Sequence, residues 1–179
     1  MKILSKTTVF DAKAFTVEKL HVRLPDERER DYSLVRHHDS VTVIPLDAEG
    51  NVLLVTQFRM GSETVLLELP AGVMNPGETP LECALREVRE ETGMAAGKME
   101  HLGSAYLAPG YSSELNHIFL ATDLTLSPLQ MDDDEFLQTE KIPAAQLPQL
   151  AAQGRLQDSK SLAALYLAGD RLQIGITDI

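Results

Sequence analysis

Apolar and polar residues alternate along residues 15–24, the pattern of a strand with one buried face, and residues 32–36 read as the strand that returns after a polar turn at 25–28. Residues 41–46 and 52–58 are two β-branched runs. The turn sequence Asp47-Ala48-Glu49-Gly50 between them predicts an antiparallel hairpin of buried strands. Two further strands are predicted at 101–106 and 118–122, separated by a loop rich in Gly, Pro and Ser. The period becomes helical at 80–92, where Leu81, Leu85, Val88 and Thr92 recur on one side, and again at 144–153 and 159–169. Strands with two or three helices and no regular βαβ alternation predict an α/β fold, a mixed sandwich. Residues 1–37 read as an N-terminal β-hairpin arm and residues 38–179 as the main domain, divided near His37, His38 and Asp39.

The helix at 80–92 has clear ends. Thr79 is placed to be its N-cap, Pro80 takes the first helical position, and Glu82 completes a Thr-x-x-Glu capping box. Gly93 stands where a left-handed C-terminal cap belongs. Glu87, Glu90 and Glu91 crowd this helix; Glu87 and Glu91 lie about 40° apart on the helical wheel, and Glu90 about 60° from Glu87. All three are expected to point away from the apolar stripe, with Arg86 and Glu90 forming an i, i+4 pair. So dense a carboxylate cluster calls for a cation. The competing reading is a solvated acidic face, the usual meaning of a charge run.

Composition narrows the partners. The 179 residues suit a single domain, and 27 acidic against 16 basic residues give a formal charge of −11. Such a surface repels nucleic acid and anionic membrane, and it would repel a phosphate substrate too unless the site supplies its own cations. No apolar run approaches the roughly 20 residues that span a bilayer, and the start of the chain has no signal-peptide layout. Cys83 is the only cysteine, so no intrachain disulfide forms and a cytoplasmic protein is the simplest reading. His37 and His38, adjacent before a strand, face opposite ways and do not make a chelating pair. Ser112, Ser113 and His117 lack the Gly-x-Ser-x-Gly setting of a serine hydrolase.

The residues Gly72, Glu78, Arg86, Glu87, Val88, Glu90, Glu91, Gly93 and Met94 stand at fixed spacing, and together they resemble the complete Nudix box. The segments 52–59, 67–72 and 106–114 are similar to the ADP-ribose pyrophosphatase branch of that superfamily, with Pro109 where the branch carries a marker proline. Residues 134–136, the region around Gly154, and 158–165 resemble it as well. The likeness covers most of residues 35–168. It implies the Nudix fold, a mixed sheet between helices with the box as loop, helix and loop.

What the resemblance implies about chemistry is specific. Glu87, Glu90 and Glu91 become metal ligands, joined by the main-chain carbonyl of Ala71. Glu78 either contributes through water or braces its loop. Mg²⁺, with Mn²⁺ as an alternative, prefers such oxygen donors. Arg59 becomes the candidate phosphate contact, a guanidinium matching phosphate oxygens as a fork; otherwise it is a surface charge at a strand end. Glu68 either contacts the substrate or pairs with a neighbouring basic residue. Pro109 and Ser112 belong to the loop expected to wall the terminal ribose. The acidic run 132–135 is a solvated loop by default. Related enzymes place a catalytic glutamate there, and Glu135 aligns with it, although Gln138 stands where the branch often has Glu. The implied reaction is Mg²⁺-dependent hydrolysis of ADP-ribose, or a related nucleoside diphosphate sugar, to AMP and ribose 5-phosphate. The same chemistry on GDP-mannose is one alternative. A non-catalytic nucleotide sensor is another, disfavoured by the intact box. The resemblance also implies a homodimer, with the N-terminal arm packed across the two-fold axis.

Overall fold

The computed structural model describes residues 1–129 and 137–175. They divide into two compact units, Met1–Asp39 with Tyr106–Leu115, and Ser40–Ala105 with the described residues from Asn116 onward.

The first unit is an antiparallel meander of β1 (Lys2–Asp11), β2 (Phe15–Arg23) and β3 (Glu29–His37). The alternation read in β2 is present: Glu18, Leu20 and Val22 are buried while Lys19 is exposed. Strand β1 is an addition to the expected hairpin. All ten of its residues are exposed, and its pairing with β2 shifts register between Ile3 and Ser5 and between Thr8 and Phe10. A bulge flips the facing of everything beyond it, so no period of two survives in the sequence. The loop 108–114 is pinned to the edge of β3. Val35 N–H donates to Tyr111 O at 2.7 Å, Ser113 N–H donates to Val35 O at 3.0 Å, and His37 N–H donates to Ser113 Oγ at 3.0 Å.

The second unit holds β4 (Ser40–Pro45), β5 (Asn51–Arg59), β6 (Thr64–Glu68), β7 (Ala71–Val73), α1 (Pro80–Thr92), β8 (Met94–Tyr106), β9 (Leu115–Leu126) and β10 (Gln138–Pro143). A 3₁₀ turn at Ala144–Gln146, α2 (Leu147–Ala152) and α3 (Ser159–Leu172) follow. The expected hairpin of β4 with β5 does not form. Strand β4 lies in a mixed sheet of order β7-β4-β9-β8, parallel to β9, whereas β5 lies in a second sheet of order β10-β5-β6. A single bridge between Leu46 and Val52 is what remains of the hairpin. The Asp47 turn passes the chain between sheets because β4 and residues 52–55 of β5 are buried on both faces and each needs partners on its own level.

Alternation along β4 and β9 feeds two cores. Ile44, Ile118 and Leu120 pack with β5, α2 and α3, while Val41, Val43, Phe119 and Ala121 pack beneath α1 against Cys83, Ala84 and Val88. The mixed sheet therefore sits between helices. Among the described residues no helix is long and apolar enough to cross a membrane.

Candidate active site

Helix α1 begins and ends where its sequence dictates. Thr79 Oγ1 accepts from Glu82 N–H, the Glu82 carboxylate accepts from Thr79 N–H at 2.9 Å, and Gly93 caps the far end at φ 73°. Its buried stripe differs from the expectation. Cys83, Ala84, Glu87, Val88 and Glu91 are buried, Leu85 is half-buried and Leu81 is 46% exposed. Two carboxylates thus occupy positions that periodicity assigned to the polar side. They are tolerated there because β7 and Arg86 satisfy them. Glu91 Oε2 accepts from Ala71 N–H at 2.9 Å. The Glu87 carboxylate lies against Gly72, where an added Cβ would come within 1.8 Å of Oε1; no other residue type leaves it room.

Arg86 is the centre of the cluster. Its Nη1 donates to Glu87 Oε1 at 2.6 Å and to Glu90 Oε2 at 2.9 Å, and its Nε and Nη2 hold Glu78 at 2.9 and 3.0 Å. Glu78 also accepts from Asn75 N–H at 2.8 Å, so it braces the loop. Hydrogen bonds from Arg86 pull the Glu78 carboxyl below its ordinary range, and Glu78, ahead of Glu87 and Glu90, raises Arg86 in return. Burial pushes the neighbouring Cys83 thiol far up, so it stays an inert core group.

Four carboxylates, Glu78, Glu87, Glu90 and Glu91, stand against this one guanidinium, an excess of three negative charges. As the side chains stand, no three acidic, cysteine or histidine groups among the described residues close on one point. Yet Glu87 and Glu90 already meet at a single cationic nitrogen, and the donors are all hard oxygens. The set fits Mg²⁺. Glu87, Glu90 and Glu91 would hold it from the helix, and Ala71, whose N–H is engaged, would offer its carbonyl.

A second charged group joins the ends of β5 and β6. Arg59, at the end of β5, makes a fork with Glu68: Nε to Oε1 at 3.0 Å and Nη2 to Oε2 at 2.6 Å. Glu68 also binds Lys160 of α3. Of the two readings for Glu68, pairing with basic residues is the one its contacts display. Burial opposes charge on both partners, but their mutual bonds, joined on Glu68 by Lys160, outweigh it, holding Glu68 low and Arg59 high; Glu91 and Asp158 add to the attraction on Arg59. Lys160 and Asp158 were not singled out from sequence. The available signal was the likeness of residues 158–165 to the ADP-ribose branch.

Pro109 and Ser112 belong to the first unit: Pro109 is exposed, and Ser112 is buried, its Oγ accepting from Glu114 N–H. Glu135 and its acidic neighbours lie outside the described residues.

Comparison with known proteins agrees with this geometry. The NUDIX domain family matches residues 36–165. The ADP-ribose pyrophosphatase of Bacillus subtilis (strain 168) is 31% identical over 166 residues, 92% of this chain and 90% of that protein. The ADP compounds hydrolase NudE of Escherichia coli (strain K12) is 28% identical over 173 residues, 96% and 92% of the two chains. A crystal structure of an ADP compounds hydrolase superposes with a TM-score of 0.87 at 28% identity, covering 96% of this chain and 94% of its own. With the box intact, its carboxylates gathered on α1 and the likeness running almost end to end, the chain belongs to the Nudix family and is a hydrolase of the ADP-ribose pyrophosphatase-like kind.

Proposed function

We propose that the protein hydrolyses the diphosphate linkage of ADP-ribose, or of a closely related nucleoside diphosphate sugar, releasing AMP and ribose 5-phosphate with Mg²⁺ as cofactor. The observation that carries this reading is the meeting of Glu87 and Glu90 on one cationic nitrogen, with Glu91 one turn away against β7. One similar protein is named for ADP-ribose and another for ADP compounds, which favours an adenine nucleotide here.

Bound Mg²⁺ supplies positive charge to the diphosphate oxygens and acidifies water. The chain's own residues do the rest. Arg86 fixes the orientation of Glu87 and Glu90, and the close approach at Gly72 keeps Glu87 in place. Arg59 takes phosphate oxygens with its fork. One water attacks one phosphorus; the new P–O bond forms as the bridging P–O bond breaks, and the water's proton passes to the general base, a role assigned to Glu135. The three-stranded arm serves as the contact between two copies of the chain.

The test is a panel of ADP-ribose, GDP-mannose, diadenosine polyphosphates and NADH, assayed with Mg²⁺ and with chelator. ADP-ribose should give the highest kcat/KM, chelator should abolish turnover, and added Mg²⁺ should restore it. A competitor cleaved about tenfold better, a gap of about 1.4 kcal/mol in transition-state binding, overturns the substrate. A monomeric mass by light scattering overturns the arm's role.

A further inference from the structure

The Arg59–Glu68 pair is not closed. Lys160, in the first turn of α3, places Nζ 2.5 Å from Glu68 Oε2 and 2.9 Å from Asp158 Oδ1. Glu68 therefore meets two cations, Arg59 and a Lys160 that it shares with Asp158. A buried carboxylate with a single cation holds that cation hard, because parting them leaves bare charge in a poor solvent. With two, Glu68 keeps one partner when the other turns away.

The surroundings say which. The Lys160 side chain is 15% exposed and is held from two sides, by Glu68 and Asp158. Asp158 itself caps α3, accepting from Ser161 N–H at 3.0 Å, and Ser161 Oγ accepts from Leu69 N–H at 2.8 Å, next to Glu68. Lys160 thus belongs to a rigid joint between α3 and the end of β6. Arg59 is 37% exposed, ends a strand, carries the fork that fits phosphate, and feels the Glu91 carboxylate as well as Glu68.

We propose that Lys160 is a positioning residue that keeps Glu68 neutralised while Arg59 turns from Glu68 to the substrate diphosphate. Without Lys160, Arg59 is the only cation paired with Glu68 among the described residues, and it stays locked. The inference rests on the reading of Arg59 as the diphosphate contact.

The test compares Lys160→Met, Lys160→Arg, Arg59→Ala and Glu68→Gln, singly and in the pairs Arg59→Ala/Lys160→Met and Glu68→Gln/Lys160→Met. Affinity is read by titrating ADP and ADP-ribose into protein with EDTA present, and KM and kcat on ADP-ribose are read with Mg²⁺. Lys160→Met should raise Kd and KM about tenfold and change kcat less than about threefold, the signature of lost ground-state binding. Lys160→Arg should restore both. Adding Lys160→Met should change nothing further in the Arg59→Ala or Glu68→Gln background, because the locked pair no longer exists. A purely structural lysine would instead lower Tm and add its effect in every background. Equal effects in those backgrounds, an unchanged KM, or a fall confined to kcat would overturn the proposal. If Arg59→Ala itself binds like wild type, the Arg59 reading has failed; if Arg59→Ala binds weakly and Lys160→Met does not, only the role of Lys160 has. Should Lys160→Met not fold, Lys160→Gln, which donates a hydrogen bond to Glu68 without charge, makes the same comparison.

Discussion

The arm and the α1 region are both laced with ion pairs, and by distance they look alike. Lys19–Asp31 and Arg23–Glu29 in the arm stand at 2.8 and 2.9 Å; Arg86–Glu90 and Arg59–Glu68 stand at 2.9 and 2.6 Å. Exposure to water distinguishes the two sets. Asp31 and Glu29 of the arm are 50% and 39% exposed, while Glu68 is 2% exposed and Glu87 8%. Attraction between charges in water is nearly offset by hydration and side-chain entropy. Between buried charges it is large, but so is the desolvation it must overcome, and removing one partner strands the other. Those two solvated pairs hold little in place. The charges around α1 hold a deliberate imbalance, one guanidinium against four carboxylates.

Neutralising a carboxylate in each region exposes that difference. The largest effect is expected at Glu91→Gln. The amide keeps the shape, and its oxygen still accepts from Ala71 N–H, so the fold should stand. Turnover should fall by about a thousandfold or more, since a charged donor of the metal set is gone. Relief of like-charge crowding should leave the metal-free protein at least as stable by urea unfolding. Near-normal turnover would remove Glu91 from the chemistry.

Removing the cation should do the opposite. Arg86→Met strands Glu78, Glu87 and Glu90 and should cost about 3 kcal/mol or more of folding stability in EDTA. Added Mg²⁺ should recover part of that loss, because it binds the same carboxylates in the folded state. A variant as stable as wild type would show that the cluster is better hydrated than its burial implies.

These contrasts were unevenly legible in the sequence. The ends of α1 were readable because capping is local: Thr79, Pro80, Glu82 and Gly93 act within one turn of where they stand. The burial of Glu87 and Glu91 was not, since the leucines Leu81 and Leu85 set the apparent stripe, while Gly72 and Ala71, which accept the carboxylates, lie on another element. Strand β1 left no period because its bulges break it. The separation of β4 from β5 depends on partners distant in the chain, β9 and β10. Lys160 reaches Glu68 across 92 positions, a contact that no local rule proposes.

Between the extremes stands Asp47. Its side chain is 9% exposed; it pairs with Lys141 at 2.8 Å, and its Oδ1 accepts from Glu49 and Asn51 N–H in the turn between the sheets. Burial pushes its carboxyl up, but the Lys141 and Asn51 bonds prevail and hold it well below the usual carboxylate range. A depressed folded value means stability that is complete above the unfolded value, about 3.9, and lost as pH falls toward the folded one. Asp47→Asn should cost about 2 kcal/mol at neutral pH. As pH falls below about 4 its Tm should converge on that of wild type, since the unfolded chain then takes up a proton that folded Asp47 still refuses. Parallel Tm curves for the two proteins down to pH 2.5 would contradict this.

The smallest effect is expected at Asp31→Asn, the arm's counterpart of Glu91→Gln. Asp31 bonds Lys19 and one nitrogen of His21, whose other nitrogen meets Glu29. Asp31 first, then Glu29, raises the His21 pKa above its ordinary value. A raised folded value would give stability that is complete below the unfolded value, about 6.5, and lost as pH rises through the folded one. His21 is 41% exposed, and screening by solvent makes that contribution too small to register. In Asp31→Asn the imidazole should therefore titrate at lower pH by NMR, while Tm at physiological salt moves by no more than about 1 °C between pH 5 and pH 8. A shift in titration without a shift in stability is what separates a solvated pair from a buried one. A Tm that falls by several degrees, or that gains a pH dependence near neutrality, would mean that the arm's charges are desolvated by a surface that covers them in solution.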